Sequence, residues 1–186
     1  MKRLFDLTLS LIAALALCIP ALLVAAAICA TSQGGILYWS DRVGRSGRIF
    51  RMPKFRTMRM GTPQLATDKL ADPANYLTPI GAFLRKSSLD ELPQLWSILT
   101  GNMSFVGPRP ALFNQHELTE QRAAAGVDRL VPGLTGWAQV NGRDDISDER
   151  KLSFDVEYAR RQSFWFDLRI LWMTLWKVIG RDGVAH

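Results

Sequence analysis

The chain has only two histidines, His116 and His186, and two cysteines, Cys18 and Cys29. Both cysteines lie inside a hydrophobic N-terminal run, so a disulfide framework is excluded for everything downstream. In that run they serve as small apolar side chains. Neither CxxC nor HExxH occurs. With so little imidazole, zinc sites and Ser–His or Cys–His nucleophilic catalysis are disfavoured. Any chemistry must fall to carboxylates, and any metal to a hard, oxygen-bound ion such as Mg²⁺, or Mn²⁺ in its place. Internal repeats and low-complexity tracts are absent. Acid is missing from one stretch: Arg42, Arg45, Arg48, Arg51, Lys54, Arg56 and Arg59 follow one another with no Asp or Glu between them. Such a run attracts phosphate, as lipid headgroup, nucleotide or nucleic acid, unless it is a solvated basic face. The whole chain, 186 residues at a formal net charge of +6, has room for a sizeable core.

Charge of either sign is missing from Leu7–Thr31, a run of 25 residues. As a straight helix it would measure about 37 Å, against about 30 Å for a bilayer core. It is long for a signal-peptide core, and "AICA" lacks a small residue at both cleavage positions. "LALC" is a poor lipoprotein box, because Leu17 stands where a small residue is expected. Pro20 falls mid-run. It withholds a backbone donor and frees the carbonyl of Ala16, so a kink or break is predicted there. Each half is then about 17–20 Å long, too short to span alone. Lys2 and Arg3 precede the run and the basic stretch follows it, and the positive-inside rule draws both flanks to the cytoplasm. A kinked single span is the commoner arrangement, whereas a re-entrant hairpin bent at Pro20 satisfies both flanks. The residues alone leave both open.

Downstream, "ILYWS" and the alternation around Phe50 and Met52 predict short strands. Gly61–Asn75 reads as a loop, "PIGAFLRKSS" as a short helix, "MSFVGPRP" as a strand entering a rigid Pro-Arg-Pro loop, and Leu112–Ala125 as a helix closed by Gly126. The glycine-rich "PGLTGWAQVNGR" is predicted to be loop, and Ser147–Gln162 a charged helix. In the C-terminal helix 163–181, the residues Ser163, Asp167, Thr174, Lys177 and Arg181 share one narrow arc, with Trp165, Trp172 and Trp176 elsewhere. That pattern suits either an amphipathic helix in a membrane interface or a core helix. The expected fold is α+β and mostly helical. Residues 1–35 form the membrane helix, and 36–186 a small cytoplasmic domain with short strands that includes the interfacial helix.

"KSSLDELPQLW" sets Asp90 beside Glu91. Ser88 and Glu91 fit a capping box, and Pro93 fits the first turn of the helix it would start. Two acids that merely start a helix would account for the pattern. Arg85 just upstream, Lys54 and Arg56 in "PKFRTM", and Arg109 with Pro110 in "GPRP" point instead to phosphoryl transfer. One carboxylate can attack phosphorus and the other hold a divalent ion, while guanidinium groups grip phosphate.

"KRLFD" (2–6), Pro20, "DRVG" (41–44), "KFRTM" (54–58), "SSLDELPQLW" (87–96), "SFVGPRP" (104–110), "PGLTGWAQVNGR" (132–143) and "RDGV" occur in this order. In that order the chain resembles the small monotopic phosphoglycosyl transferases of the bacterial sugar transferase family. The resemblance covers nearly the whole chain. It implies transfer of a sugar-1-phosphate from a UDP-sugar to undecaprenyl (polyprenyl) phosphate, with release of UMP, at the cytoplasmic face of the bacterial inner membrane. It implies Asp90 as the nucleophile that forms an aspartyl phosphosugar, Glu91 as the Mg²⁺ ligand, and Arg109 with Pro110 at a phosphate. It also implies a re-entrant helix broken at Pro20, although Ile19 here replaces the serine that family members carry before that proline. Gln139, Asn141 and Arg143 match a family motif, and either read the nucleotide or support the site as a buried turn. The rival reading is a non-catalytic module that binds anionic lipid at the bilayer surface. Nucleic acid is not an expected partner, because no aromatic residues interleave with a base-reading element.

Overall fold

The computed structural model describes residues 1–65, 70–142 and 146–180. The chain opens with α1 (Lys2–Ala16) and α2 (Cys18–Thr31), bent by 60° at Leu17. The break falls three residues before Pro20. Proline has no N–H to return to the carbonyl of Ala16, and the strain is released one residue beyond that carbonyl. The predicted break is thus present but shifted, and the bend is a shallow L in place of a reversing hairpin. α1 buries Asp6 and Ser10 against the rest of the protein, whereas Leu4, Leu11, Ile12 and Leu15 are exposed. α2 buries Val24 and Ile28 on Phe55 and Leu84, and exposes Ile19, Leu22 and Leu23. No single helix among the described residues is long and apolar enough to cross a membrane.

The fold is α+β and mostly helical, with two small sheets among the described residues. β1 (Leu37–Val43) and β2 (Ile49–Phe55) are antiparallel, in register from Leu37 opposite Phe55 to Val43 opposite Ile49. α3 (Gly81–Lys86) is followed by a 3₁₀ segment, Leu89–Gln94, and by α4 (Leu95–Leu99). The capping box predicted at Ser88 does not form. Ser88 sits at φ 56° and its side chain makes no capping bond, while the Glu91 side chain turns to Lys54. Pro93, inside the 3₁₀ segment, withholds a donor, and the regular α-helix starts only after it.

β3 (Ser104–Val106) pairs in parallel with β4 (Gly133–Thr135), with α5 (His116–Ala124) between them in sequence and α6 (Trp137–Val140) directly after. The glycine-rich stretch predicted to be loop is therefore a strand and a short helix. Its glycines serve close approach: a Cβ on Gly133 or Gly136 would lie 2.1 Å from backbone atoms of Gly107. Only bare Cα atoms permit that packing, and a reading of Gly as a loop signal misses it.

α7 (Asp148–Arg161) falls within the charged helix predicted over Ser147–Gln162 and is capped by Ser147, and α8 (Phe164–Gly180) closes the described chain. The main core joins Met52, Ile98, Met103, Phe105, Val106, Val140, Tyr158, Phe166 and Ile170. α8 carries the narrow polar arc read from the sequence, and two of its members face the protein: Asp167 accepts from Tyr158 (2.7 Å) and pairs with Lys2 (2.5 Å), and the Thr174 hydroxyl meets that of Thr135 at 2.7 Å. Trp165, Trp172 and Trp176 point outward, Trp165 with 78% of its surface exposed. Arg181 lies outside the described residues.

Both ends of the bent pair are fastened to this one body. Lys2 also donates to the carbonyl of Val106 at 2.9 Å, and Arg3 to the carbonyls of Ile98 (2.5 Å) and Leu99 (2.7 Å), capping the end of α4. Buried Asp6 accepts from Ser104 Oγ and Phe105 N, both at 3.1 Å. The "KRLFD" motif is thus a set of latches between α1, α4 and β3.

Candidate active site

The register of the β1–β2 ribbon sets Lys54 opposite Tyr38, and the 3₁₀ segment packs against β2. Asp90, second residue of that segment, is 7% exposed. Lys54 Nζ lies 2.9 Å from Glu91 Oε1 and 3.8 Å from Asp90 Oδ2. Arg109 Nη2 reaches the same Glu91 oxygen at 3.4 Å from the loop after β3. Tertiary packing thus converts two neighbouring acids into a pair bridged by one lysine.

Burial holds the Asp90 carboxyl above the usual carboxylate range; Lys54 pulls it down, Glu91 pushes it further up, and Arg85 and Arg109 oppose. The partial positive charge at a helix start favours the ionised form, and here desolvation of the carboxylate outweighs any such pull.

The pair lines a cavity of about 600 Å³, a size that holds a small organic ligand. Lys54, Arg56, Arg85, Arg109 and Pro110, all singled out by sequence, line it too. Their roles differ. Arg56 donates to the carbonyls of Gly35 (2.7 Å) and Leu37 (3.2 Å), tying the start of β1 to the end of β2. Arg85 donates through Nε to Thr57 Oγ1 at 3.1 Å. Two arginines that sequence reasoning missed grip the Pro-Arg-Pro loop: Arg42 donates to Pro110 O (3.1 Å), and Arg122 to Arg109 O (2.8 Å). Arg122 also pairs with buried Asp155 at 2.6 Å, where burial raises the carboxyl against the pull of that arginine. Arg42 was visible within the basic run, and with Tyr38 and Ser40 it shares the strand face that meets the cavity. Arg122, on a polar helix of its own, gave no signal.

The structure does not bring Gln139 or Asn141 to this cavity. Gln139 lies in α6 and Asn141 directly after it, and α6 packs on α7 and α8; Gln139 is buried, and Asn141 donates to the carbonyl of Trp137 at 2.7 Å. Arg143 lies outside the described residues, as does "RDGV". His116 is exposed.

Among the described residues no group of three His, Cys, Asp or Glu side chains could cage a metal ion. The donors present fit Mg²⁺ in its other habit, with one or two carboxylates and the rest of its shell from water and substrate phosphate.

The model of the bacterial sugar transferase family matches residues 1–181. The chain belongs to the bacterial sugar transferase family. It is 40% identical over 203 residues to the UDP-galactose-lipid carrier transferase of Erwinia amylovora, covering 98% of this chain and 41% of that protein. It is 36% identical to the UDP-glucose:undecaprenyl-phosphate glucose-1-phosphate transferase of Escherichia coli (strain K12), covering 95% of this chain and 40% of that one. The chain spans about two fifths of both relatives. By contrast it covers 91% of the uncharacterized sugar transferase EpsL of Bacillus subtilis (strain 168), at 38% identity.

Proposed function

We propose that this chain transfers a sugar-1-phosphate from a UDP-sugar to undecaprenyl phosphate in two displacements at Asp90. A carboxylate oxygen of Asp90 attacks the phosphorus that bears the sugar; an O–P bond forms, the diphosphate bridge breaks, and UMP leaves with the bond's electron pair. An oxygen of the polyprenyl phosphate then attacks the same phosphorus, the Asp90–phosphorus bond breaks, and the carboxylate is regenerated. The observation that carries this reading is a buried carboxylate in a cavity lined by Lys54, Arg85 and Arg109. Lys54 and Arg109 offset charge on the phosphates, and Pro110 stiffens the mount of Arg109. Glu91, with the substrate diphosphate, would hold Mg²⁺, which when bound supplies further charge neutralisation. The names of the Erwinia and Escherichia relatives support the reaction class. A lipid-binding module would instead keep its cations at the surface, whereas the Lys54 side chain is 16% exposed and lies between two acids. The test is UMP release from UDP-sugars that depends on added undecaprenyl phosphate, with N-acetylated sugars tried first.

Activity is expected to vanish in excess EDTA and to return with Mg²⁺ or Mn²⁺, while a zinc-selective chelator leaves it unchanged. The donor set of carboxylate oxygens with no histidine sets that preference. Full turnover in EDTA, measured as UMP, would remove the metal from the reading.

The acceptor is a lipid, so the cavity must open near headgroups. The apolar side chains exposed on α1, α2 and α8, with Phe83 on α3 and Trp96 on α4, form the surface we assign to one bilayer leaflet. Trp165→Glu, Trp172→Glu and Trp176→Glu combined are expected to move the protein largely from the membrane pellet to the supernatant, with an unchanged circular dichroism spectrum. Their side chains leave the core untouched, so retention in the pellet would show that this face is not the anchor.

A further inference from the structure

Thr57 lies two residues beyond β2, buried, at the wall of the cavity. Its carbonyl accepts from the Thr78 N–H at 2.9 Å and from the Thr78 hydroxyl at 3.3 Å. Gly81, the first residue of α3, packs directly on that carbonyl, for a Cβ there would lie 2.2 Å from it. The start of α3 is therefore seated on the backbone of Thr57. Side chains on a helix lean toward its N-terminus. Arg85, one turn further on, comes back over the same residue, and its Nε donates to Thr57 Oγ1 at 3.1 Å. A bond through Nε fixes the plane of a guanidinium as well as its position, and that plane decides which oxygens a phosphate can present to it.

We propose that Thr57 is a positioning residue whose hydroxyl orients the Arg85 guanidinium toward the diphosphate of the sugar nucleotide. The inference rests on the transferase reading above. In the motif "KFRTM" the neighbouring arginine spends its donors on the carbonyls of Gly35 and Leu37, and the small threonine acts on the cavity through Arg85. No bond is made or broken by Thr57 itself.

The experiment uses the full chain in nanodiscs, with wild type, Thr57→Val, Thr57→Ser, Arg85→Ala and the Thr57→Val/Arg85→Ala double variant. UDP binding is measured by calorimetry, and KM and kcat by UMP release. Thr57→Val keeps shape and branching but removes the acceptor; it is expected to weaken UDP binding and raise KM for the UDP-sugar about tenfold, since hydrogen bonds to charged groups lie in that range. Its kcat should change little, because the loss is one of ground-state and transition-state binding alike. Thr57→Ser, which retains the acceptor, should bind UDP as wild type does. In the Arg85→Ala background, Thr57→Val should add nothing further. Equal loss in Ser and Val, or additive loss in the double variant, would overturn the positioning role. If UDP binding follows this pattern but no UMP is released from any UDP-sugar, the orientation of Arg85 stands and the transferase reading falls. Undiminished binding and turnover in Thr57→Val does the reverse.

Discussion

Asp90→Asn is expected to lower UMP release by about 10³-fold or more, the scale seen when a nucleophile is removed. The substitution preserves shape and replaces one oxygen by an amide nitrogen that cannot form the phosphoester. It should not damage the fold. The folded state holds the Asp90 carboxyl above its ordinary value, chiefly by burial. The native state thus binds that proton more tightly than the unfolded chain. Stability conferred by this group is therefore present at low pH and is lost as pH rises through the unfolded value to the folded one. At neutral pH the ionised carboxylate is a net cost, which asparagine removes. Lys54 keeps its 2.9 Å pairing with Glu91, so no cation is stranded. The expected pair of results is an inactive protein with a melting temperature at or above that of wild type. Clear UMP release by purified Asp90→Asn would remove Asp90 as nucleophile, and a lower melting temperature would contradict the cost assigned to its burial.

Much of this site is legible in the chain because it is built from contiguous pieces. The acid pair, Lys54, Arg85 and the Pro-Arg-Pro loop each sit in short motifs, and the fold brings all of them to one cavity. What the sequence conceals is held by long-range contact. Arg122 reaches the carbonyl of Arg109 only because α5 packs on α7 through Asp155. Thr57 carries no periodicity that would mark it, and its partner is 28 positions away. The glycines after Pro132 look like loop when their stretch is read as though it stood alone, and the polar arc of α8 does not say which neighbour covers it. Lys2 and Tyr158 turn Asp167 inward, and Gly107 makes bare Cα atoms necessary at Gly133 and Gly136. Sequence periodicity reports that a face differs, but not which partner will cover it.

A single cysteine in a short tag ahead of Met1, in a background lacking Cys18 and Cys29, is expected to react with an impermeant maleimide from the cytoplasmic side alone. A second reporter, Arg45→Cys on the exposed turn of the basic ribbon, should react from the same side. The length of the apolar run argues for one crossing, but the geometry opposes it. α1 and α2 have 15 and 14 residues and meet at a 60° bend. Arms of that length, at 1.5 Å per residue, put the apex only about 11 Å above the line joining their far ends. That is less than the half-thickness of a hydrocarbon core of about 30 Å. The far ends cannot move to opposite sides without unfolding. Lys2 and Arg3 are bonded to Asp167 and to the carbonyls of Val106, Ile98 and Leu99, while Ile28 is wholly buried on the other arm. Crossing would strand these cations, at a cost of several kcal/mol each in a low-dielectric surround. The carbonyl of Ala16, freed by Pro20, would also sit in the bilayer centre, where nothing satisfies it. On the proposed transferase reading, the bent arrangement would keep the apex within one leaflet and leave Asp90 at headgroup level, within reach of a lipid phosphate. Reaction of the tag in intact cells, with Arg45→Cys protected, would show a full span and require α1 to leave the body on which it is latched.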